Sequence, residues 1–268
     1  MTTLRWGAVT DVGRRRTINQ DRVLETGVVF AVADGVGGHN AGEVASLTAV
    51  EALRAAYTRS GGRADLIEAV REANRAVWAR AGEVRELRGM GTTLTAIALV
   101  ESSDGDLLEV ANVGDSRAYL FRDGEITQIT VDHSMVEELR RRGEITDDEA
   151  AVHPDRHVIT RVLGMGPEVE PDLDQLVPYR GDRLVLCSDG LSNEVLDREI
   201  AAVLRRLADP REVARELVRT ANARGGNDNI SVVVIDVVDD DDRAGVASAQ
   251  MARAAGASRG PSRAEDRR

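Results

Sequence analysis

Residues 93–130 read TLTAIALVESSDGDLLEVANVGDSRAYLFRDGEITQIT. Thr93–Glu101 is apolar enough for a buried strand. Asp104-Gly105 then turns the chain into Leu107–Val113, Gly114-Asp115 turns it into Arg117–Arg122, and Asp123-Gly124 turns it into Glu125–Thr130. An Asp-Gly pair between apolar runs is the strongest short hairpin signal. Four strands joined by turns this short predict antiparallel pairing, because a parallel pair needs a long crossover. Working outward, further strands are expected at Arg5–Thr10, Val28–Ala33, Arg183–Ser188 and Ile230–Val238.

Helices come as a block between strands. Val44, Leu47, Val50, Leu53 and Tyr57 recur at helical spacing, as do Leu66, Val70, Ala73 and Val77. Asp209-Pro210-Arg211-Glu212 reads as an N-cap, a Pro at the first helical position and an acid in the first turn, opening a helix with Val213, Leu217, Val218 and Ala221. Strands grouped with strands and helices with helices predict an α+β fold, antiparallel sheets covered by helices. Residues 133–166 interrupt the pattern. They hold a short charged helix at Met135–Arg142, a capping box at Thr146-Asp147-Asp148-Glu149 and a polar stretch with His153, Pro154 and His157. A surface excursion of this kind commonly carries specificity.

Composition narrows the chemistry. The chain has 268 residues, enough for a sizeable core, and only 3% are aromatic, so that core rests on Val, Leu, Ala and Ile. The net charge of −11 argues against a nucleic-acid binder. Every basic residue is Arg and none is Lys. That excludes a Walker-A phosphate loop, a Schiff-base enzyme and a protein kinase, each of which needs a Lys. The single Cys187 excludes an internal disulfide and a Cys-rich zinc module. With no long apolar run and no signal-peptide pattern, a cytoplasmic protein with no membrane contact is expected. The body is expected to span residues 1–238 as one domain. Residues 239–268 are expected to form a disordered tail. It opens on Asp239–Asp242, and six Arg then stand against Glu265 and Asp266, a net +4.

Two apolar strands end alike: Val28–Ala33 runs into Asp34-Gly35, and Leu184–Ser188 into Asp189-Gly190. Asp228 lies just before the strand at Ile230. Each Asp-Gly alone reads as a turn former. Converging, these carboxylates would repel one another and need a cation between them. Oxygen donors without thiolate or imidazole suit Mg2+ or Mn2+. The four His (His39, His133, His153 and His157) show no zinc spacing. Two covalent-nucleophile patterns find no support: the residue six beyond Cys187 is Asn193, not Arg, and Asp172-Leu173-Asp174 follows no apolar strand and lacks a companion Lys.

The ordered motifs are Arg16-Thr17-Ile18-Asn19-Gln20-Asp21, Asp34-Gly35-Val36-Gly37-Gly38-His39, Gly42-Glu43-Val44-Ala45-Ser46 and Gly89-Met90-Gly91-Thr92-Thr93. They continue with Asn112-Val113-Gly114-Asp115-Ser116-Arg117, Asp132-His133-Ser134, Leu186-Cys187-Ser188-Asp189-Gly190-Leu191 and Asn227-Asp228-Asn229-Ile230-Ser231. In this order they closely resemble the type 2C metal-dependent Ser/Thr protein phosphatases in their short bacterial form, over roughly residues 5–238. The resemblance implies a four-layer α-β-β-α sandwich of two antiparallel sheets, with 133–166 as the flap beside the active site. It implies hydrolysis of phosphoserine and phosphothreonine by a metal-activated water, with two core Mn2+ or Mg2+ ions and a third, weaker one.

Carried over by position, Asp34 resembles the bridging ligand, Gly35 a carbonyl ligand, Asp189 and Asp228 the remaining direct ligands, and Asp21 the holder of a water. Asp115, with Asp189, resembles the third-metal site, and also reads as a turn residue. Arg16 resembles the phosphate-binding Arg. Gln20 stands where eukaryotic members tend to have Glu, and receives no metal role. His39 is a candidate general acid, and equally reads as capping a Gly-rich turn. The expected partners are phosphoproteins, among them a Ser/Thr kinase and its substrates, and the chain is expected to be a monomer. Two other readings stay open: a phosphatase dedicated to one regulator in a partner-switching circuit, and a non-catalytic binding protein on the same fold.

Overall fold

The computed structural model describes residues 2–37, 41–102 and 105–239. The strands are β1 (Thr3–Asp11), β2 (Asp21–Glu25), β3 (Val29–Val36), β4 (Gly91–Thr92), β5 (Leu94–Val100), β6 (Leu107–Val113), β7 (Arg117–Arg122), β8 (Glu125–Gln128), β9 (Asp172–Leu176), β10 (Arg183–Cys187) and β11 (Ile230–Asp239). The helices are α1 (Ala41–Ser60), α2 (Leu66–Glu83), α3 (Met135–Arg141), α4 (Asp147–Val152), α5 (Asp189–Ser192), α6 (Asp197–Arg206) and α7 (Pro210–Arg224). One sheet has the order β1-β11-β10-β7-β8, the other β2-β3-β5-β6-β9 with β4 against β3, and every pair is antiparallel.

Side-chain alternation builds the layers. In β3, Phe30 and Val32 face the other sheet, while Val29, Ala31 and Ala33 face α1 and α2. In β10, Leu184 and Leu186 point between the sheets, while Val185 and Cys187 point toward α6 and α7. Both faces of these strands are covered. That is why they read as unbroken apolar runs although the sheets are antiparallel. The result is the four-layer α-β-β-α sandwich. No helix among the described residues is long and apolar enough to cross a membrane.

The expected four-strand meander is corrected at one point. β5 pairs with β6 and β7 with β8, as hairpins should, but β6 and β7 do not pair. Gly114-Asp115-Ser116 instead carries the chain from one sheet to the other. Gly114 has φ 114°, and a Cβ there would lie 2.5 Å from Thr93 Cγ2, so only Gly lets the chain cross so close to β5. The capping box at Thr146 and Glu149 forms, and Asp209 caps α7 by accepting from the N–H groups of Arg211 and Glu212. Asp172-Leu173-Asp174 lies in the edge strand β9, where Asp172 pairs with Arg161 at 2.7 Å. The expected tail, apart from Asp239 at the end of β11, lies outside the described residues.

At the end of the sandwich where β10 begins and β11 finishes, buried carboxylates meet guanidinium groups. Asp236 accepts from Arg183 Nε at 2.7 Å and from Arg5 at 3.0 Å. Asp182 accepts from Arg122 Nε at 2.7 Å and Nη2 at 2.6 Å. Arg122 also stacks over the Tyr179 ring, 4.5 Å from its centroid.

Candidate metal centre and phosphate site

The opposite end of the sandwich gathers the predicted carboxylates. Asp34 lies near the end of β3, and Asp21, which opens β2, stands opposite it in the ladder. Asp189 opens α5 directly after β10, Asp228 precedes β11, and Asp115 sits in the turn that switches sheets. Here the carboxylates face one another. Like charges gathered this closely disfavour the charged form of each. Burial and then the charges of Asp21, Asp189, Asp115 and Asp228 hold Asp34 well above the carboxylate range. Burial pushes Asp21 up to about 7, with Asp189 and Asp228 adding to it and the Ser188 hydrogen bond opposing it. Asp115 also rises to about 7, by burial and the neighbouring charges of Asp189 and Asp132. Asp189 is raised by burial and Asp228.

Three buried carboxylate oxygens have no hydrogen-bond partner: Asp21 Oδ1, Asp115 Oδ1 and Asp189 Oδ1. Buried acceptors are rarely left so. Together with the mutual repulsion, they fit a hard divalent cation. Among the described residues no three acidic, His or Cys side chains already close around one point. Mg2+ and similar ions keep several waters and take one or two carboxylates each, so no such cage is required. Gly35 packs against Gly42 at the start of α1. A Cβ on Gly42 would lie 2.6 Å from Gly35 O, and a Cβ on Gly35 would lie 2.1 Å from Gly42 O. Only two glycines let α1 start so close to β3.

Arg16 reaches this cluster. Its Nη2 donates to Asp228 Oδ2 at 2.7 Å, and that bond, with the charges of Asp228, Asp34 and Asp189, raises its pKa against the opposing effect of burial. Backbone bonds fix its loop: Arg14 N and Arg15 N both donate to Gly226 O, at 2.7 and 3.2 Å. A groove of about 1130 Å3 leads from Asp115, Asp189 and Asp228 to the excursion after β8, where Arg140, Arg156 and His157 line it.

Residues 13–231 match the family model described as Protein phosphatase 2C. The chain belongs to the protein phosphatase 2C family. It is 45% identical over 241 residues to the serine/threonine protein phosphatase PstP of Mycobacterium tuberculosis, an alignment covering 89% of this chain and 46% of PstP. The chain thus spans about half the length of that relative. A putative 2C-type protein phosphatase of Streptococcus pyogenes is 40% identical, covering 84% of this chain and 94% of its own. A solved PstP catalytic domain in complex with two manganese ions matches at TM-score 0.79 and 42% identity, covering 89% of this chain and all of that one.

Within this phosphatase 2C framework, the structure brings Arg16, Asp21, Asp34, Gly35, Asp115, Asp189 and Asp228 to one end. His39 lies outside the described residues. Sequence reasoning passed over the residues that aim the carboxylates. Ser188 Oγ donates to Asp21 Oδ2 at 2.7 Å. Asn229 accepts from Gln20 N at 2.8 Å and donates to Val12 O and Ile18 O, stapling the Arg16 loop. His133 Nδ1 accepts from Gly114 N at 3.0 Å, its own N–H donates to Gly114 O at 2.9 Å, and its Nε2 lies 3.2 Å from Asp172. Burial, followed by the Asp172 hydrogen bond that opposes it, leaves the His133 pKa lowered. It is a neutral anchor between the sheet-switching turn and the excursion. All three were quoted inside motifs, and only their polarity beside a carboxylate hinted at these contacts.

Proposed function

We propose that this chain hydrolyses phosphoserine and phosphothreonine in proteins, using two Mn2+ or Mg2+ ions with a third held more weakly. The orphaned oxygens of Asp21, Asp115 and Asp189 carry this reading, because a cluster kept so costly is retained for a ligand. It also favours an enzyme over a scaffold on the same fold. When bound, such ions supply an activated water and charge for the phosphoryl oxygens. Asp34, the Gly35 carbonyl, Asp189 and Asp228 would hold the core pair. Asp21 would orient water beside them, and Asp115 with Asp189 would take the third ion. Arg16 spends one Nη2 donor on Asp228, and among the described residues its remaining N–H groups meet no partner, so they are available to two phosphate oxygens. His39, two residues after the Gly37 that follows β3, is proposed as the proton donor to the leaving alkoxide.

Residues 1–238 act as one catalytic domain, in the cytoplasm, as a monomer. The substrates are phosphoproteins, including a Ser/Thr kinase and the proteins it modifies. The test is turnover of p-nitrophenyl phosphate and of a phosphothreonine peptide with Mn2+ and with EDTA. Turnover of both that requires the metal is expected, and turnover of neither contradicts the proposal.

A further inference from the structure

Thr93 is uncharged and its side chain bonds to a backbone N–H and a hydroxyl rather than to a carboxylate oxygen, yet it contacts the segments that carry two of the carboxylates. Its Oγ1 accepts from the backbone N–H of Asp34 at 2.9 Å, and its own N–H donates to Asp34 O at 2.9 Å. The same Oγ1 shares a 2.8 Å hydrogen bond with Ser116 Oγ. Its Cβ and Cγ2 pack against Gly114, where a Cβ would lie 2.6 and 2.5 Å away. Asp115 stands between Gly114 and Ser116. Thr93 and Ser116 are fully buried, so neither hydroxyl can turn to water instead. Thr95 closes the arrangement with its single hydroxyl hydrogen, shared between Asn112 Oδ1 at 2.6 Å and Ser116 O at 3.0 Å, and Asn112 holds Gly114 O at 3.1 Å.

We infer that Thr93 is a positioning residue that sets the distance between the Asp34 carboxylate on β3 and the Asp115 carboxylate on the sheet-switching turn. This rests on the metal-dependent reading above. One side chain bonded to both segments is the shortest rigid link between them. A second, longer link runs from Val32 of β3 to its ladder partner Thr95 and on to Ser116 O. A cation gathered by Asp115 and Asp189 beside Asp34 needs that spacing. A partner that orients a metal ligand without touching the ion typically changes affinity by about tenfold to a hundredfold when removed.

The test is calorimetric titration of Mn2+ into the full chain, with melting temperature measured on each variant. Thr93→Val keeps the shape and removes the hydroxyl. It should weaken the lower-affinity Mn2+ class by about tenfold or more. Thr93→Ser restores the hydroxyl and should return that class to within about threefold of wild type. Ser116→Ala, which cuts only the Asp115 side, should reproduce the loss. In an Asp115→Ala background, Thr93→Val should cause no further loss in the lower-affinity class, since the site it aims is gone. A lowered melting temperature with an unaltered Mn2+ isotherm in Thr93→Val makes Thr93 a packing residue and overturns the inference. If Thr93→Val does not fold, an unaltered isotherm in Ser116→Ala overturns it. A wild-type chain that binds no Mn2+ overturns the proposed function, and the inference with it.

Discussion

β7, β10 and β11 run between two ends of the sandwich, and both ends carry buried or half-buried aspartates. At one end Asp236 and Asp182 are each gripped by arginines at 2.6–3.0 Å. At the other, Asp21, Asp34, Asp115 and Asp189 face mainly one another, and three of their oxygens meet nothing. The chain has 35 basic residues, all Arg, so guanidinium groups were available to either end. Among the described residues Arg16 is the one guanidinium hydrogen-bonded to the second cluster, on the part-exposed Asp228, while Arg117 acts on Asp115 by its charge and is itself held by Asp132. The difference teaches that the first set of charges serves the fold and the second is held ready for a ligand, at a cost the rest of the core offsets.

Substitutions at the two ends should separate these roles. Asp189→Asn is expected to abolish Mn2+-dependent turnover of p-nitrophenyl phosphate while leaving the circular dichroism spectrum intact. Activity near wild type would return Asp189 to an ordinary turn residue. Asp236→Asn should do the reverse. Removing one partner of a buried ion pair costs about 3–5 kcal/mol, so the denaturation midpoint should fall steeply while turnover per folded molecule stays unchanged. An unshifted midpoint would erase the contrast between the ends.

Arg16→Ala has a smaller effect. A hydrogen bond to a charged group contributes about 1.5–3 kcal/mol, so kcat/KM should fall about tenfold to a hundredfold. The loss should lie chiefly in KM if ground and transition states are gripped alike. Arg16→Lys should recover only part of it, lacking the planar fork. Arg14→Ala or Arg15→Ala losing as much, with Arg16→Ala silent, would shift the register of the phosphate loop.

Much of this was legible in the sequence, for a physical reason. The runs Val28–Ala33 and Leu184–Ser188 are apolar on both faces because helices cover one face and a second sheet the other, and such runs announce themselves. The carboxylates at their ends could be read from position alone. The destination of Gly114-Asp115 could not. A tight turn has the same composition whether the next strand pairs with the last or crosses to another sheet, and the contact with Thr93 that decides it is long-range. β2 and β9 were missed because Asp21–Glu25 and Asp172–Leu176 are short edge strands with few apolar residues. α6 (Asp197–Arg206) was missed although its buried Ile200, Val203 and Leu204 keep helical spacing, since charged residues fill the rest of so short a segment.

The contrast also shows in pH dependence. Asp21 and Asp115 titrate near 7 in the folded protein and near 4 when unfolded. Between those values the folded state binds more protons, so metal-free stability should fall as pH rises from about 4 to 7. His133, with a lowered folded pKa, opposes this weakly below about 6.5. Carboxylates held low by Arg, such as Glu216 at about 2, act only below that window. Melting in EDTA should therefore come at a higher temperature at pH 5.5 than at pH 7.5, and Asp115→Asn should flatten the difference. A rise in stability across that range would show that the cluster does not repel itself.

The most direct test is thermal melting of wild type and Asp189→Asn at pH 7.5, first in EDTA and then across a Mn2+ series. A ligand bound only by the folded state raises Tm in proportion to the logarithm of its concentration above Kd. The account predicts that wild-type Tm climbs with Mn2+, that Asp189→Asn loses most of the climb, and that in EDTA the variant melts at or above wild type because one repelling charge is gone. A wild-type Tm indifferent to Mn2+, with the variant melting well below it in EDTA, would show that these carboxylates hold the fold rather than a metal.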